Sequence, residues 1–138
     1  MTDLIFQLYV ISSFWMVVTI LFVQLVHYPL FQLVDIYALK AFSLDHQRRI
    51  SWMVVPAMIC EFLSLFYLMI SLKTVLFYLS FAVLVLIWLI TFTVQVPIHQ
   101  KLITRPSKEL TLVLVNSNWY RTFLWCLKGI LLIVYYGI

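Results

Sequence analysis

Four long apolar stretches alternate with three short polar ones along this chain. The apolar stretches run from about Leu4 to His27 or a little beyond, from Ile50 to Leu72, from Val75 to Pro97, and from Leu110 to Tyr136. Each can hold the roughly 20 apolar residues that one helical crossing of a bilayer takes. Barrel strands would be about half as long and would alternate in polarity, and these stretches do neither. The pattern predicts an all-α integral membrane protein, a four-transmembrane-helix up-down bundle, as one domain over 1–138. Its helices are expected near 4–31, 46–72, 74–99 and 110–136. "SLKT" reads as a tight turn. "LVDIYALKAFSLDHQRR" is longer and amphipathic, with room for a short interfacial helix, and "HQKLITRPSKE" mixes a proline with charges. Nothing reads as a linker, a low-complexity tract or a second domain.

Composition makes the solvent explicit. The chain is 65% hydrophobic and 10% charged over 138 residues, with a mean hydropathy of +1.09. A soluble domain of this size cannot cover that much apolar surface with so few charges, so the expected partner is the lipid bilayer. A pI near 9.2 is explained by basic loops beside a membrane, without nucleic acid. Lys40, Arg48, Arg49, Lys101, Arg105 and Lys108 fall in the first and third connections, and Lys73 alone in the second. The excess predicts that the basic connections face the cytoplasm and both termini face outward. "MTDLIFQLYV" has no basic leader and carries Asp3, so no cleavable signal is expected. Cys60 and Cys126 lie in apolar segments without a CxxC, which predicts small buried side chains and no disulfide.

The polar residues inside the apolar stretches are the candidate chemistry. An up-down bundle brings the ends of helices one and three and the starts of helices two and four to one face. That places His27, His46 and His99, on three different helices, at one depth with Asn116, Asn118 and Arg121. Gln24 and His27 (i, i+3), Gln95 and His99 (i, i+4), and Asn118, Arg121 and Trp125 (i, i+3, i+7) each share a helix face. His46 and Glu61 sit roughly 60° apart around theirs. The expectation is a polar pocket at the cytoplasmic end of the bundle. Glu61 and Lys128 lie deeper, about 18 Å in at 1.5 Å per residue. They are expected to pair, either as a structural ion pair or in proton handling. Pro29, Pro56 and Pro97 free or redirect helix carbonyls near the pocket. "FVQLVHYPLF" and "FTVQVPIHQKL" form a faint repeat that suggests equivalent positions on helices one and three.

Imidazole ligates several transition metals and haem iron, so His27, His46 and His99 are the candidate metal ligands. Ordinary interfacial histidines are the plainer alternative. No HExxH, Glu-x-x-His, CxxCH or glycine-rich phosphate loop is present. Tyr28 and Trp119 could wall a flat ligand, although an interfacial belt also accounts for Trp119.

"VQVPIHQKL" followed by "NSNWYRTFLW" resembles the pattern Asn/Gln-x-Pro-x-Asn/His-x-x-Leu, then Trp-x-Arg-Thr, of the anthrone-oxygenase-like family of small four-helix membrane proteins. Gln95, Pro97, His99, Leu102, Trp119, Arg121 and Thr122 carry the resemblance, which covers the second helical hairpin. The first hairpin looks more like uncharacterised bacterial relatives. The resemblance implies a four-helix bundle, and the family's few members with an assigned role oxidise polyketide anthrones to anthraquinones with O₂. Gln95 and His99 stand where Asn is common in the pattern, and His27 and His46 lie outside it.

Together these readings predict a multi-pass protein of a bacterial inner membrane that acts as an oxidoreductase or oxygenase on a hydrophobic small molecule. Arg121, Asn118 and Glu61 are the candidate catalytic residues. Gln95, Tyr28 and Trp119 are the candidate ligand- or cofactor-binding residues, with a metal ion or haem as the candidate cofactor. The rival readings are a non-enzymatic binding or transport protein for small molecules, lipids or protons, and a structural subunit of a membrane complex or homo-oligomer.

Overall fold

Long runs of Leu, Ile, Val and aromatic residues leave the backbone one economical way to satisfy its N–H and C=O groups away from water, which is a helix. The computed structural model describes residues 2–137, and no strand occurs among them. There are four long helices: α1 (Thr2–Leu33), α2 (Ile36–Leu72), α3 (Val75–Thr104) and α4 (Lys108–Tyr136). The first three are long and apolar enough to cross a membrane. α4, with 29 residues, has the length but is diluted by polar side chains. It turns Asn118, Arg121, Thr122 and Lys128 inward, where all four are buried.

Helix boundaries depart from expectation in one direction: the helices are longer. α2 starts at Ile36, so the amphipathic connection is its first three turns and not a separate interfacial piece. Asp35 caps that start by accepting a hydrogen bond from the Tyr37 N–H at 2.8 Å, and no Gly or Pro interrupts the helix before Pro56. α3 runs past His99 to Thr104 and ends where Arg105 precedes Pro106, a position that disfavours helix. Ser107 then caps α4, accepting from the Leu110 N–H at 3.2 Å. Lys108 donates to the Gln32 and Val34 carbonyls and so ties the start of α4 to the end of α1. At the opposite end, Lys73 closes α2 in the left-handed region, with φ 50°.

Neither Pro29 nor Pro97 ends its helix. Each is preceded by one widened turn, at Val23–His27 in α1 and Thr91–Gln95 in α3. There the Tyr28 N–H reaches back five residues to the Val23 carbonyl, and the Val96 N–H to the Thr91 carbonyl. The extra residue in the turn relieves the clash between the proline ring and the carbonyl four residues before it. The two turns share their spacing to proline, but Gln24 stands five residues before Pro29 and Gln95 two before Pro97. The repeat is therefore one of backbone, and its glutamines and histidines are not equivalent.

Two apolar clusters divide the interior. The larger holds Tyr9, Met16, Leu65, Phe77, Leu84 and Trp125. The smaller, nearer the α1–α2 and α3–α4 connections, holds Phe31, Leu39, Leu102 and Leu114, one from each helix. A polar layer lies between them. Below it α4 packs against the α1 side chain of Val17 at Gly129: a Cβ there would stand 3.3 Å from Val17 Cγ2, a fit that a small residue allows. Gly129→Leu is expected to force these helices apart and to cost about 1–3 kcal/mol. A lowered midpoint in detergent thermal or SDS unfolding checks this.

Candidate functional site

The site begins with Gln24, which the widened turn of α1 carries into the interior, where it is buried. It donates to the Val115 carbonyl at 3.3 Å, and its Oε1 accepts from Asn118 Nδ2 at 2.9 Å and from Thr122 Oγ1 at 3.5 Å. Asn118, fixed in orientation by that bond, accepts at Oδ1 from Arg121 Nη1 at 3.0 Å. Arg121 is only 8% exposed. Among the described residues no carboxylate pairs with it; the ion pairs there are Asp45–Arg49 and Glu61–Lys128. Its Nε has no hydrogen-bond partner among them either.

Arg121 lines a cavity of about 220 Å³ with Tyr28, His46, Gln95 and His99 at its polar end and Met16 and Met58 at its apolar end. The Tyr28 hydroxyl and His99 Nε2 are hydrogen-bonded at 3.2 Å, with the donor set by the imidazole tautomer. Gln47 donates to the His99 carbonyl at 3.4 Å. Gln95 Nε2 donates to Ser117 at 2.9 Å, while Gln95 Oε1 and His99 Nδ1 are buried and unpartnered among the described residues. Unpaired buried polar atoms are costly, and here Gln95 Oε1, His99 Nδ1 and Arg121 Nε belong to residues that line one hollow.

The three histidines meet, but face to face. The His27 and His46 rings stack at 4.4 Å with 22° between planes, and His46 and His99 at 5.6 Å with 29°. Imidazole binds metal through lone pairs in the ring plane, so a stack directs its nitrogens side by side and not at a common point. Tyr28 already engages one His99 nitrogen. No group of three or more His, Cys, Asp or Glu side chains among the described residues is arranged to hold a metal ion. So arranged, the three histidines do not fit a metal ion as a common ligand set. His46 also lines a second, smaller hollow, shared with His27, Asp45 and Arg49 on the α1–α2 side.

Of the residues singled out by sequence, Tyr28, His46, Gln95, His99 and Arg121 line the cavity. Asn118 stands behind Arg121 and orients it. Trp119 points away, 51% exposed on the outer face of α4. His46 lies ten residues inside α2, so the polar layer sits within the bundle and not at its rim.

Glu61 forms a separate site. It pairs with Lys128, and Ser13 bridges them, donating to Glu61 at 2.6 Å and accepting from Lys128 at 2.8 Å. Lys128 Nζ also stands 4.7 Å from the centre of the Tyr9 ring. Sequence reasoning passed over Ser13 and Gln47. Ser13 had a signal, a small polar residue at matching depth in an otherwise apolar helix, whereas Gln47 had none.

No protein-family model, no curated protein and no solved structure matches the chain. The family resemblance therefore rests on the residues of the second hairpin alone.

Lys128→Met should leave Glu61 buried without its cation and destabilise the protein by about 3–5 kcal/mol. Adding Glu61→Leu should recover most of that loss, because a packed apolar pair replaces the ion pair at little net cost. A double-mutant cycle of unfolding midpoints in detergent measures both.

Proposed function

We propose that the chain spans a bilayer four times, with its basic connections on the cytoplasmic side, and that its cavity binds a hydrophobic molecule carrying an ionised hydroxyl or enolate oxygen. The span count is supported by three apolar helices and by a fourth of sufficient length whose polar side chains turn inward. The orientation rests on the basic residues of the first and third connections.

The observation that carries the ligand reading is Arg121. A charge placed in a membrane interior costs roughly 2.5–3.5 kcal/mol even on insertion scales. Glu61 is already engaged by Lys128, and Asn118 offers Arg121 only a neutral oxygen. An anionic oxygen in the cavity would compensate the guanidinium, whose planar fork suits such oxygens. Apolar walls at Met16 and Met58 would hold the body of the ligand.

In line with the family resemblance, the reaction we propose is oxygenase-like, with O₂ as oxidant. A methylene made acidic by a neighbouring carbonyl loses a proton to His99. With Nε2–H donating to Tyr28, Nδ1 keeps a lone pair to accept that proton. Arg121 holds the enolate oxygen. O₂ then takes up the carbanion's electrons. Overall the methylene loses two hydrogens and gains one oxygen atom as a ketone, and the second oxygen atom leaves as water. Asn118 and Gln24 are positioning residues in this scheme.

Two measurements test the reading. Purified protein in nanodiscs, titrated with 2-hydroxy-1,4-naphthoquinone (an anion at neutral pH), should bind it. Arg121→Gln should weaken that binding roughly ten- to hundredfold, as expected for one hydrogen bond to a charged group. With anthrone under air, the wild type should consume O₂, and His99→Ala should lower kcat more than it alters probe affinity. Binding indifferent to Arg121 removes the ligand reading, and absent O₂ uptake removes the reaction.

A further inference from the structure

Part of the cavity's lining lies on the outer surface of the bundle, between α2 and α3. Toward the connections with the basic residues, Phe31, Leu39, Leu102 and Leu114 close the bundle, each of them buried. Toward the other end the larger apolar cluster closes it. Between α2 and α3, however, Ser51, Val55, Phe92 and Val96 line the cavity while exposed on the helix surface, the last three by 48%, 58% and 41%. The widened turn at Thr91–Gln95 lies along this gap. Val55 is six residues beyond Arg49, so the gap lies about 9 Å deeper along the helix than that charge. In a bilayer this is acyl-chain depth, just beneath the headgroups.

Size limits what fits inside. An engineered apolar cavity of about 150 Å³ accepts one benzene ring. At about 220 Å³, this one takes a substituted ring or two fused rings. A larger molecule must leave part of itself in the lateral gap, where the surroundings are apolar side chains and lipid.

Resting on the anion-binding reading above, we propose that the ligand is a tailed phenol, whose keto tautomer carries the acidic methylene of that reaction, or the hydroxyquinone that such an oxidation leaves. Its one- or two-ring head enters the cavity from the bilayer with its ionised oxygen on Arg121. Its apolar tail stays in the lipid, passing between Val55 on α2 and Phe92 and Val96 on α3. The arrangement matches how such an amphiphile already lies in a leaflet, with its polar head near the interface and its chain among the acyl chains. Binding then needs no transfer of the tail through water. The two apolar plugs also become functional, since they exclude water from the head and direct access to the membrane side.

The test uses 2-hydroxy-1,4-naphthoquinone with and without a 3-undecyl chain, the chain bearing a terminal diazirine, on the whole protein in nanodiscs. Photolysis is expected to label the α2–α3 surface around Val55, Phe92 and Val96, and this labelling should be competed by unlabelled tailed probe. Val55→Trp with Val96→Trp should weaken the tailed probe at least tenfold more than it weakens the tail-less one; both substitutions keep these lipid-facing positions apolar, and an unchanged unfolding midpoint checks that the fold is kept. Labelling of Met16 and Met58, or of Phe22 and Met53 on the α1–α2 side, overturns the route, as does a tailed probe indifferent to the tryptophans. If the tail-less probe binds in an Arg121-dependent way while the tail lies elsewhere, this inference fails alone. If neither probe depends on Arg121, the anion reading fails and takes the inference with it.

Discussion

The side chain of Gln24 holds the interior together at the level where the chemistry lies. In water a glutamine is readily solvated. In a bilayer it must find its partners inside the protein, and this one reaches α4 at three points: the Val115 carbonyl, Asn118 and Thr122. Asn118, once its amide is committed to Gln24, has only its carbonyl oxygen left to offer Arg121. The direction of each bond follows from the one before it, and the last group in the chain is a guanidinium held against a cavity. The widened turn that precedes Pro29 is what brings Gln24 to this place, so a backbone irregularity in α1 fixes a charge on α4.

Much of this arrangement is legible in the sequence because membrane helices are monotonous. Against a background of Leu, Ile and Val, a lone Gln, Asn, Arg or His stands out, and helical spacing says which of them share a face. That is how Asn118 and Arg121, which bond, and Gln95 and His99, which line one cavity, are placed together from spacing. Gln24 and His27, by contrast, are parted within the widened turn: Gln24 faces α4 and His27 packs on His46 of α2. Depth is legible for the same reason: Glu61 and Lys128 stand at matching distances from polar landmarks and do meet. Helix ends are not legible, since an amphipathic segment such as 36–46 carries no stop signal, and hydropathy cannot distinguish an interfacial loop from three more turns of helix. The widened turns are equally hidden. Proline marks that something must give, but whether the helix ends, bends or takes an extra residue depends on packing. That one extra residue shifts the register of everything beyond it, whereas the equivalence of Gln24 with Gln95 fails on spacing, since they stand five and two residues before their prolines.

The histidines show how residue identity and depth can be right while chemistry stays open. Sequence places all three near one level, and they form one stack. A ligand set and a stack have the same composition and differ only in which part of each ring faces its neighbour. That choice is made by χ angles and by surrounding aromatics, here Phe31 and Phe42, which pack on His46 and His27. No spacing rule contains that information. Trp119 is the converse case: an aromatic next to Asn118 in sequence faces outward because adjacent helical positions lie about 100° apart.

α4 presents two buried cations, Lys128 and Arg121, seven residues apart on one face. Their surroundings differ. Lys128 has a carboxylate, a hydroxyl and an aromatic face, all within the bundle and away from the cavity. Such a pair stabilises one packing of α1, α2 and α4 and requires nothing from outside. Arg121 has a neutral amide on one side and a cavity on the other. A protein whose lysine found a full complement of internal partners had the means to pair its arginine too, through a single Asp or Glu on the facing turn of α2 or α3. Those turns carry Gln47, His46, Gln95 and His99 instead, every one of them neutral or able to be so. A polar but uncharged lining around a permanent cation is what the proposed anionic ligand would complete. On the route proposed above, the lateral gap at Val55 and Phe92 is where such a ligand would enter from lipid.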